Sequence, residues 1–289
     1  MKVFLVGSTG YIGKTLFDAC SRRWRTLGTS TRDGADIVFS LARAEAFPYE
    51  QVSAGDVVAV AAAISSPDAC AKDYETAFQV NVTGTLTLIR GVVARGARVI
   101  FFSSDTVYGA SEQLLSEEAE LTPAGAYGAM KRRVEAELGE NAAVKVIRLS
   151  YVFSLRDRFT QYLLGCAKEG KRADIFKPFS RCVVYLSDVV EGVVSLIERW
   201  DAIDERVINF VGPELVARED FVEKIRNLAA PELDYGFSEP EGDFFVNRPR
   251  IINVSSARFE KLLGGAPAVL AKRLISSCLI NGAIWQSVF

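Results

Sequence analysis

Val3-Phe4-Leu5-Val6-Gly7-Ser8-Thr9-Gly10-Tyr11-Ile12-Gly13 decides how this chain folds. A short apolar run enters a glycine-rich turn, and a helix-like pattern begins at once behind it. Gly7 permits a tight turn, Gly10 lets backbone approach a pyrophosphate, and Gly13 allows the helix to pack close to the strand. The helix N-terminus then offers free N–H groups and the positive end of its dipole to phosphates. The spacing is G-x-x-G-x-x-G rather than G-x-G-x-x-G. A glycine-rich turn alone says little; the strand before it and the helix after it make the reading specific.

Working outward, strand-like and helix-like patterns alternate through the first half. Residues 2–6, 26–31, 37–41, 56–63, 98–103 and 144–149 read as strands. Residues 11–23, 68–95 and 127–140 read as helices. Such alternation implies right-handed crossovers and a parallel sheet. The continuous apolar character of 57–62 and 99–102 fits strands covered on both faces. The expected fold is α/β: a Rossmann-like, doubly wound parallel sheet with a smaller C-terminal substrate lobe. After Ser150 the pattern changes. Residues 158–169, 187–199, 218–229, 256–263 and 268–279 read as helices, 207–211 as a strand, 171–184 as irregular and basic, and 231–242 as a loop. Residues 1–155 plus about 186–212 are assigned to dinucleotide binding, and about 156–185 and 213–289 to the substrate lobe.

The 289 residues suffice for a substantial core. Hydrophobic residues at 49% and charged residues at 24% are ordinary for a globular protein. A net charge of −2 with scattered basic residues gives no reason to expect a nucleic-acid partner. The apolar runs are too short for a membrane span. A strand-like run starting at Lys2 leaves no room for a signal peptide, so the expected location is cytoplasmic. The 5 cysteines form no C-x-x-C pair and read as free, buried thiols. With 0 histidines, Ser-His-Asp and Cys-His catalysis and His-ligated metals are excluded. No carboxylate cluster has metal-ligand spacing, so no metal is expected. Proton transfer falls to Tyr, Lys, Asp, Glu or Cys.

Tyr127 and Lys131 stand four residues apart, on one face of a helix. An ammonium there lowers the phenol pKa toward working pH, so that Tyr127 can give or take a proton. Such a pair is common on surface helices; its position is what singles it out. Just upstream, the strand 98–103 runs into Ser104-Asp105-Thr106-Val107-Tyr108-Gly109. Ligand sites of doubly wound sheets lie at the carboxyl ends of strands. A hydroxyl there can bond the substrate oxygen that the tyrosine serves. The end of the second strand bears on the cofactor. NAD binders place an acid there and NADP binders a base. Thr31 and Arg32 occupy that end, which points to NADP(H), while Asp33 keeps NAD(H) open.

These motifs in series resemble the extended short-chain dehydrogenase/reductase superfamily, most nearly dTDP-4-dehydrorhamnose reductases and related sugar-nucleotide enzymes. The resemblance runs through Gly7–Gly13, Asn81-Val82-Thr83-Gly84-Thr85, Ser104–Gly109, Tyr127–Lys131, Arg148-Leu149-Ser150-Tyr151-Val152-Phe153 and Arg248-Pro249-Arg250. It implies that Ser104, Tyr127 and Lys131 are catalytic. Tyr127 would protonate a keto oxygen during hydride delivery, Ser104 would polarise it, and Lys131 would hold the nicotinamide ribose. It implies cofactor contacts at Gly7, Thr9, Gly10, Tyr11, Ile12, Gly13, Thr31, Arg32, Ala61, Ala62, Ala63, Asn81, Tyr127 and Lys131. Asp105, Thr106, Arg181 and Arg248 are the substrate-side candidates, the arginines because a nucleotide diphosphate needs cations. The implied activity is NADPH-dependent reduction of a nucleotide-activated 4-keto-6-deoxy sugar, in a polysaccharide-building role, by a chain that forms homodimers or acts alone. An NAD-dependent sugar-nucleotide 4-epimerase is the alternative, and a regulatory subunit without turnover stands behind both. Thr106 occupies the place where dehydratases of this superfamily carry glutamate, which argues against elimination. Tyr151 replaces the family's tryptophan, and Ile252-Asn253 its Leu-Asp.

Overall fold

A computed structural model of the chain describes residues 1–240, 244–267, 269–270 and 272. The quoted stretch forms strand β1 (Lys2–Val6) and helix α1 (Tyr11–Ser21). Then follow β2 (Arg25–Ser30), β3 (Ile37–Val38) and β4 (Val57–Val60). Helices α2 (Pro67–Lys72), α3 (Tyr74–Phe78) and α4 (Thr85–Val93) lead to β5 (Arg98–Ser104). Strand β6 (Ser111–Leu115), α5 (Gly125–Leu138) and β7 (Val144–Leu149) complete the first half. In the second half β8 (Val152–Phe153), α6 (Arg158–Glu169), β9 (Ala173–Phe176), β10 (Ser180–Cys182) and β11 (Val184–Tyr185) precede α7 (Leu186–Glu198). Strands β12 (Val207–Phe210) and β13 (Leu215–Ala217), helix α8 (Arg218–Ala229), β14 (Tyr235–Ser238), β15 (Ile251–Val254) and α9 (Ala257–Leu263) follow.

Seven strands pair in the order β3-β2-β1-β4-β5-β7-β12, all parallel. The winding reverses between β1 and β4, and a crevice opens at their carboxyl ends, where such sheets bind ligands. Alternation explains why both faces are covered. Val3, Leu5, Val57, Ala59, Ile100 and Phe102 face a core shared with α1, α7 and α9. Phe4, Val6, Val58, Val60, Val99 and Phe101 face a second core under α4 and α5. Each such fully buried side chain contributes ~1.5–3 kcal/mol. The segment 187–211 returns to the main sheet through β12, which pairs with β7 at Val207↔Val146. A four-stranded sheet, β13-β10-β15-β6, recruits Ser111–Leu115 from the first half.

Several boundaries differ from the sequence reading. The single helix expected over 68–95 is broken at Asp73 (φ −131, ψ 74), whose side chain accepts a hydrogen bond from Thr76 N and caps α3. A π turn at Gln79–Gly84 then joins α4. The stretch 171–184, expected to be irregular, contains β9 and β10, and the loop expected over 231–242 contains β14, which pairs with β9. These short strands gain their hydrogen bonds from distant partners, which no local periodicity announces. The helix read over 268–279 lies largely outside the described residues. No described helix is long and apolar enough to cross a membrane.

Candidate active site

The glycine turn is built by close approach. Gly7 has φ +92, and a Cβ on it would lie 2.9 Å from Ala62 N, at the end of β4. A Cβ on Gly13 would stand 2.0 Å from the Gly7 carbonyl oxygen. Only glycine fits either place, so α1 and the two central strands converge on one point. Gly10 caps α1 with φ −72 and ψ 170 and offers no side chain. Its N–H donates to Gly7 O at 3.1 Å, and Thr9 Oγ1 and Ser30 Oγ lie 3.2 Å apart.

This turn opens into a cleft of about 1400 Å³, counted to its solvent mouth. Gly7, Thr9, Gly10, Tyr11, Ile12, Gly13, Thr31, Ala61, Ala62, Ala63, Tyr127 and Lys131 all line it. The structure thus brings together twelve of the fourteen residues expected around a dinucleotide. The other two are elsewhere. Arg32 is exposed and stands off the cleft wall, its backbone N–H donating to Ser30 Oγ at 3.1 Å. Asn81 is buried behind the wall. Its Oδ1 accepts from Ile64 N at 2.8 Å and its Nδ2 donates to Ile64 O at 2.9 Å, so it braces the segment after β4. Among the lining residues the sequence reading missed are Phe39, Ser40, Leu41, Ile64 and Ser65, which fall in segments without a motif, and Ser103, one residue before the expected Ser104. Lys131 is the one charged residue among the described lining, and no carboxylate joins it. Gly-rich turn, open helix N-terminus and a wall free of carboxylates fit a dinucleotide.

Helix α5 carries Tyr127, Lys131 and Glu135 at successive turns. Lys131 is buried. Its Nζ donates to the Phe102 carbonyl at 2.8 Å and lies 4.7 Å from the Phe101 ring centroid and 5.7 Å from that of Tyr127. Burial lowers its pKa to about 8, against the pull of Glu135 and Cys70. Tyr127 departs from the sequence expectation. Its phenol is shifted up rather than down, by burial first and then by Cys70 and Asp105. The reason is geometric: the ammonium is spent on a strand carbonyl, and desolvation of a phenolate dominates. Tyr127 therefore carries its proton at neutral pH.

Ser104 ends β5. Its Oγ donates to Asp105 Oδ1 at 3.3 Å and accepts from Thr106 N at 3.2 Å and Thr106 Oγ1 at 3.0 Å. Asp105 is buried, and its Oδ2 accepts from Ser150 Oγ at 2.7 Å. Burial pushes the Asp105 pKa up, opposed chiefly by Arg181. Beneath these groups runs a buried network that the sequence did not reveal. Ser103 Oγ donates to Glu135 Oε1, and Arg148 Nη2 donates to Glu135 Oε2 at 2.7 Å. Arg148 Nη1 reaches Tyr108 Oη at 2.7 Å, and Tyr108 donates to Asn209 Oδ1 at 2.8 Å. The network ties α5 to β5, β7 and β12, and so fixes the height of Tyr127 and Lys131.

The two substrate-side arginines are already engaged. Arg181 is buried; Nη2 donates to Pro249 O at 2.5 Å, Nη1 to Ser180 O at 2.7 Å, and Nε stands 3.9 Å from Asp105 Oδ2. Arg248 grips Asp68 through both nitrogens at 2.6 Å each, spanning from the late segment to α2. Among the described residues no group of side chains could hold a metal ion.

The family model described as RmlD substrate binding domain matches residues 1–249. The chain belongs to that family. Within it, dTDP-4-dehydrorhamnose reductase of Mycobacterium tuberculosis is 26% identical over 225 residues, 75% of this chain and 72% of the relative. Spore coat polysaccharide biosynthesis protein SpsK of Bacillus subtilis is 25% identical over 203 residues, 68% of this chain and 69% of the relative. Among solved structures, a hypothetical dTDP-4-dehydrorhamnose reductase from Sulfolobus tokodaii superimposes with a TM-score of 0.82 at 22% identity, covering 93% of this chain and 97% of that one. UDP-glucuronic acid 4-epimerase from Bacillus cereus, in complex with UDP-glucuronic acid and NAD, gives 0.80 at 18% identity over 100% of both chains. These structural likenesses bear on the fold, which RmlD-family reductases and epimerases of the extended superfamily share.

Proposed function

We propose that this RmlD-family protein is an NADPH-dependent reductase of a nucleotide-activated 4-keto-6-deoxy sugar. The observation that carries the reading is that Tyr127 and Lys131 line the same cleft as the glycine turn. A bound nicotinamide supplies the hydride. Tyr127 holds the proton for the keto oxygen, and burial keeps that proton in place at neutral pH. Ser104 lies at the carboxyl end of β5, buried just behind Ser103 of the cleft wall, and would polarise the same oxygen only after turning its hydroxyl from Asp105. Lys131, anchored on Phe102 O, presents its remaining N–H groups to the cleft. The wall without carboxylates favours NADP(H), because no carboxylate there repels a 2′-phosphate or claims a ribose 2′-hydroxyl. Arg32, exposed next to the cleft-lining Thr31, is the residue that would swing in to meet that phosphate. Residues about 156–185 and 213–289 serve as the substrate lobe, with Asp105 and Thr106 reaching from the catalytic side.

The test is initial-rate oxidation of NADPH and of NADH with dTDP- and UDP-4-keto-6-deoxyhexoses. Consumption of NADPH with formation of the 4-hydroxy sugar is expected. Interconversion of 4-epimers with tightly retained NAD and no net reductant would assign the chain to epimerases. Dinucleotide binding without turnover of any sugar would assign it to a non-catalytic role.

A further inference from the structure

Arg181 and Arg248 were the cations expected to meet the substrate, and both have partners. A third arginine beside them does not. Arg218 is the first residue of α8. Its guanidinium carbon lies 4.2 Å from the Phe159 ring centroid and 4.3 Å from that of Phe179. Arg181 stacks on the same Phe179 ring at 4.2 Å. Among the described residues, no carboxylate pairs with Arg218 and no oxygen accepts a hydrogen bond from its guanidinium. Tyr151, Val183, Val216 and Phe221 close the pocket around these groups. The Tyr151 hydroxyl donates to Asp157, which also caps α6, and makes no hydrogen bond with Arg218.

The placement is unfavourable for a protein with nothing to bind there. A cation at the first position of a helix opposes the helix dipole. Burial, together with the positive charges of Arg181 and Arg248, pushes the Arg218 pKa down to about 10, against help from Tyr151 and Asp157. At neutral pH the guanidinium stays charged, so two cations, Arg218 and Arg181, line one aromatic pocket. A half-buried charge without a hydrogen-bonding acceptor calls for one. The aromatic rings hold the planar fork in place. The pocket also reaches the reaction centre: Arg181 leads to Asp105 at 3.9 Å, and Asp105 to Ser104 at 3.3 Å.

We propose that Arg218, clamped between Phe159 and Phe179, is the anchor for a phosphoryl group of the substrate's diphosphate. The inference rests on the nucleotide-sugar reading for the identity of the ligand, but the anion site itself does not. The arginines named by motif are then positioning groups: Arg181 shapes the pocket floor and Arg248 joins the late segment to α2.

Calorimetric titration of inorganic pyrophosphate, dTDP and UDP into wild type, Arg218→Met and Arg218→Lys tests it. Methionine keeps the stem between the rings and removes the charge; lysine keeps the charge and loses the fork. Nucleoside diphosphate affinity should fall at least tenfold in Arg218→Met and by less in Arg218→Lys. NADPH affinity should hold in both, and the thermal midpoint should not fall in Arg218→Met. Equal affinity of wild type and Arg218→Met for all three anions would overturn the anchor, as would failure of wild type to bind any of them. Arg218-dependent pyrophosphate binding with no gain for either nucleotide would keep the anchor and sink the nucleotide-sugar reading. Undiminished nucleotide binding in Arg218→Met, alongside sugar turnover that Tyr127→Phe abolishes, would sink the anchor and keep the reading.

Discussion

Replacing Lys131 by methionine separates the cost of the site from its use. Burial lowers the Lys131 pKa from 10.5 to about 8. At about 1.36 kcal/mol per unit, holding the ammonium in place costs the folded state about 3 kcal/mol at pH 7. The hydrogen bond to Phe102 O at 2.8 Å returns roughly 1 kcal/mol or more to the lysine form. Lys131→Met should therefore unfold at higher urea, by about 1–2 kcal/mol at pH 7, while losing its activity. The sign with pH follows from linkage. Between pH 8 and 10.5 the unfolded chain binds this proton and the folded chain does not, so wild-type stability gains with pH there. The advantage of the methionine variant should shrink across the same window. In turnover the order reverses: above pH 8 wild type loses the ammonium, and kcat/KM should fall tenfold per unit. Urea denaturation of both proteins from pH 7 to 10, with NADPH oxidation rates over the accessible range, supplies the data. A methionine variant less stable than wild type at pH 7, or a rate flat to pH 9.5, would refute the reasoning.

Three further outcomes are expected. Tyr127→Phe removes one oxygen, so NADPH binding by fluorescence should survive while the reduction rate falls by ~10²–10⁴. Gly13→Ala puts a Cβ 2.0 Å from the rigid Gly7 carbonyl, so α1 must lift from the turn; a loss of ~1–3 kcal/mol in stability and a weaker NADPH complex should appear together. Arg148→Met leaves the Glu135 carboxylate buried without its guanidinium, which should cost ~3–5 kcal/mol in chemical denaturation, with Glu135→Gln in the same background recovering part of it.

The glycine spacing, the placement of apolar runs and the four-residue step from Tyr127 to Lys131 were enough to indicate the parallel sheet, the crevice at its switch point and the tyrosine and lysine that line it. These are local constraints: a Cβ 2.0 Å from a carbonyl oxygen excludes every residue but glycine, and a helix places i and i+4 on one face whatever surrounds it. Where pairing is distant, the chain by itself was silent. Ala173–Phe176 and Tyr235–Ser238 are strands because each supplies the other's hydrogen bonds. The residues 68–95 look like one helix until Asp73 caps a new one. The arginines make the point most sharply. Arg148, Arg181, Arg218 and Arg248 are one residue type, and nothing in their sequence neighbours names their partners. Folding gives the first to Glu135, the second to strand carbonyls, the fourth to Asp68, and leaves the third facing a pocket. The Tyr127 phenol follows the same rule: its neighbour in sequence predicts a lowered pKa, and burial, which only the packed protein creates, raises it.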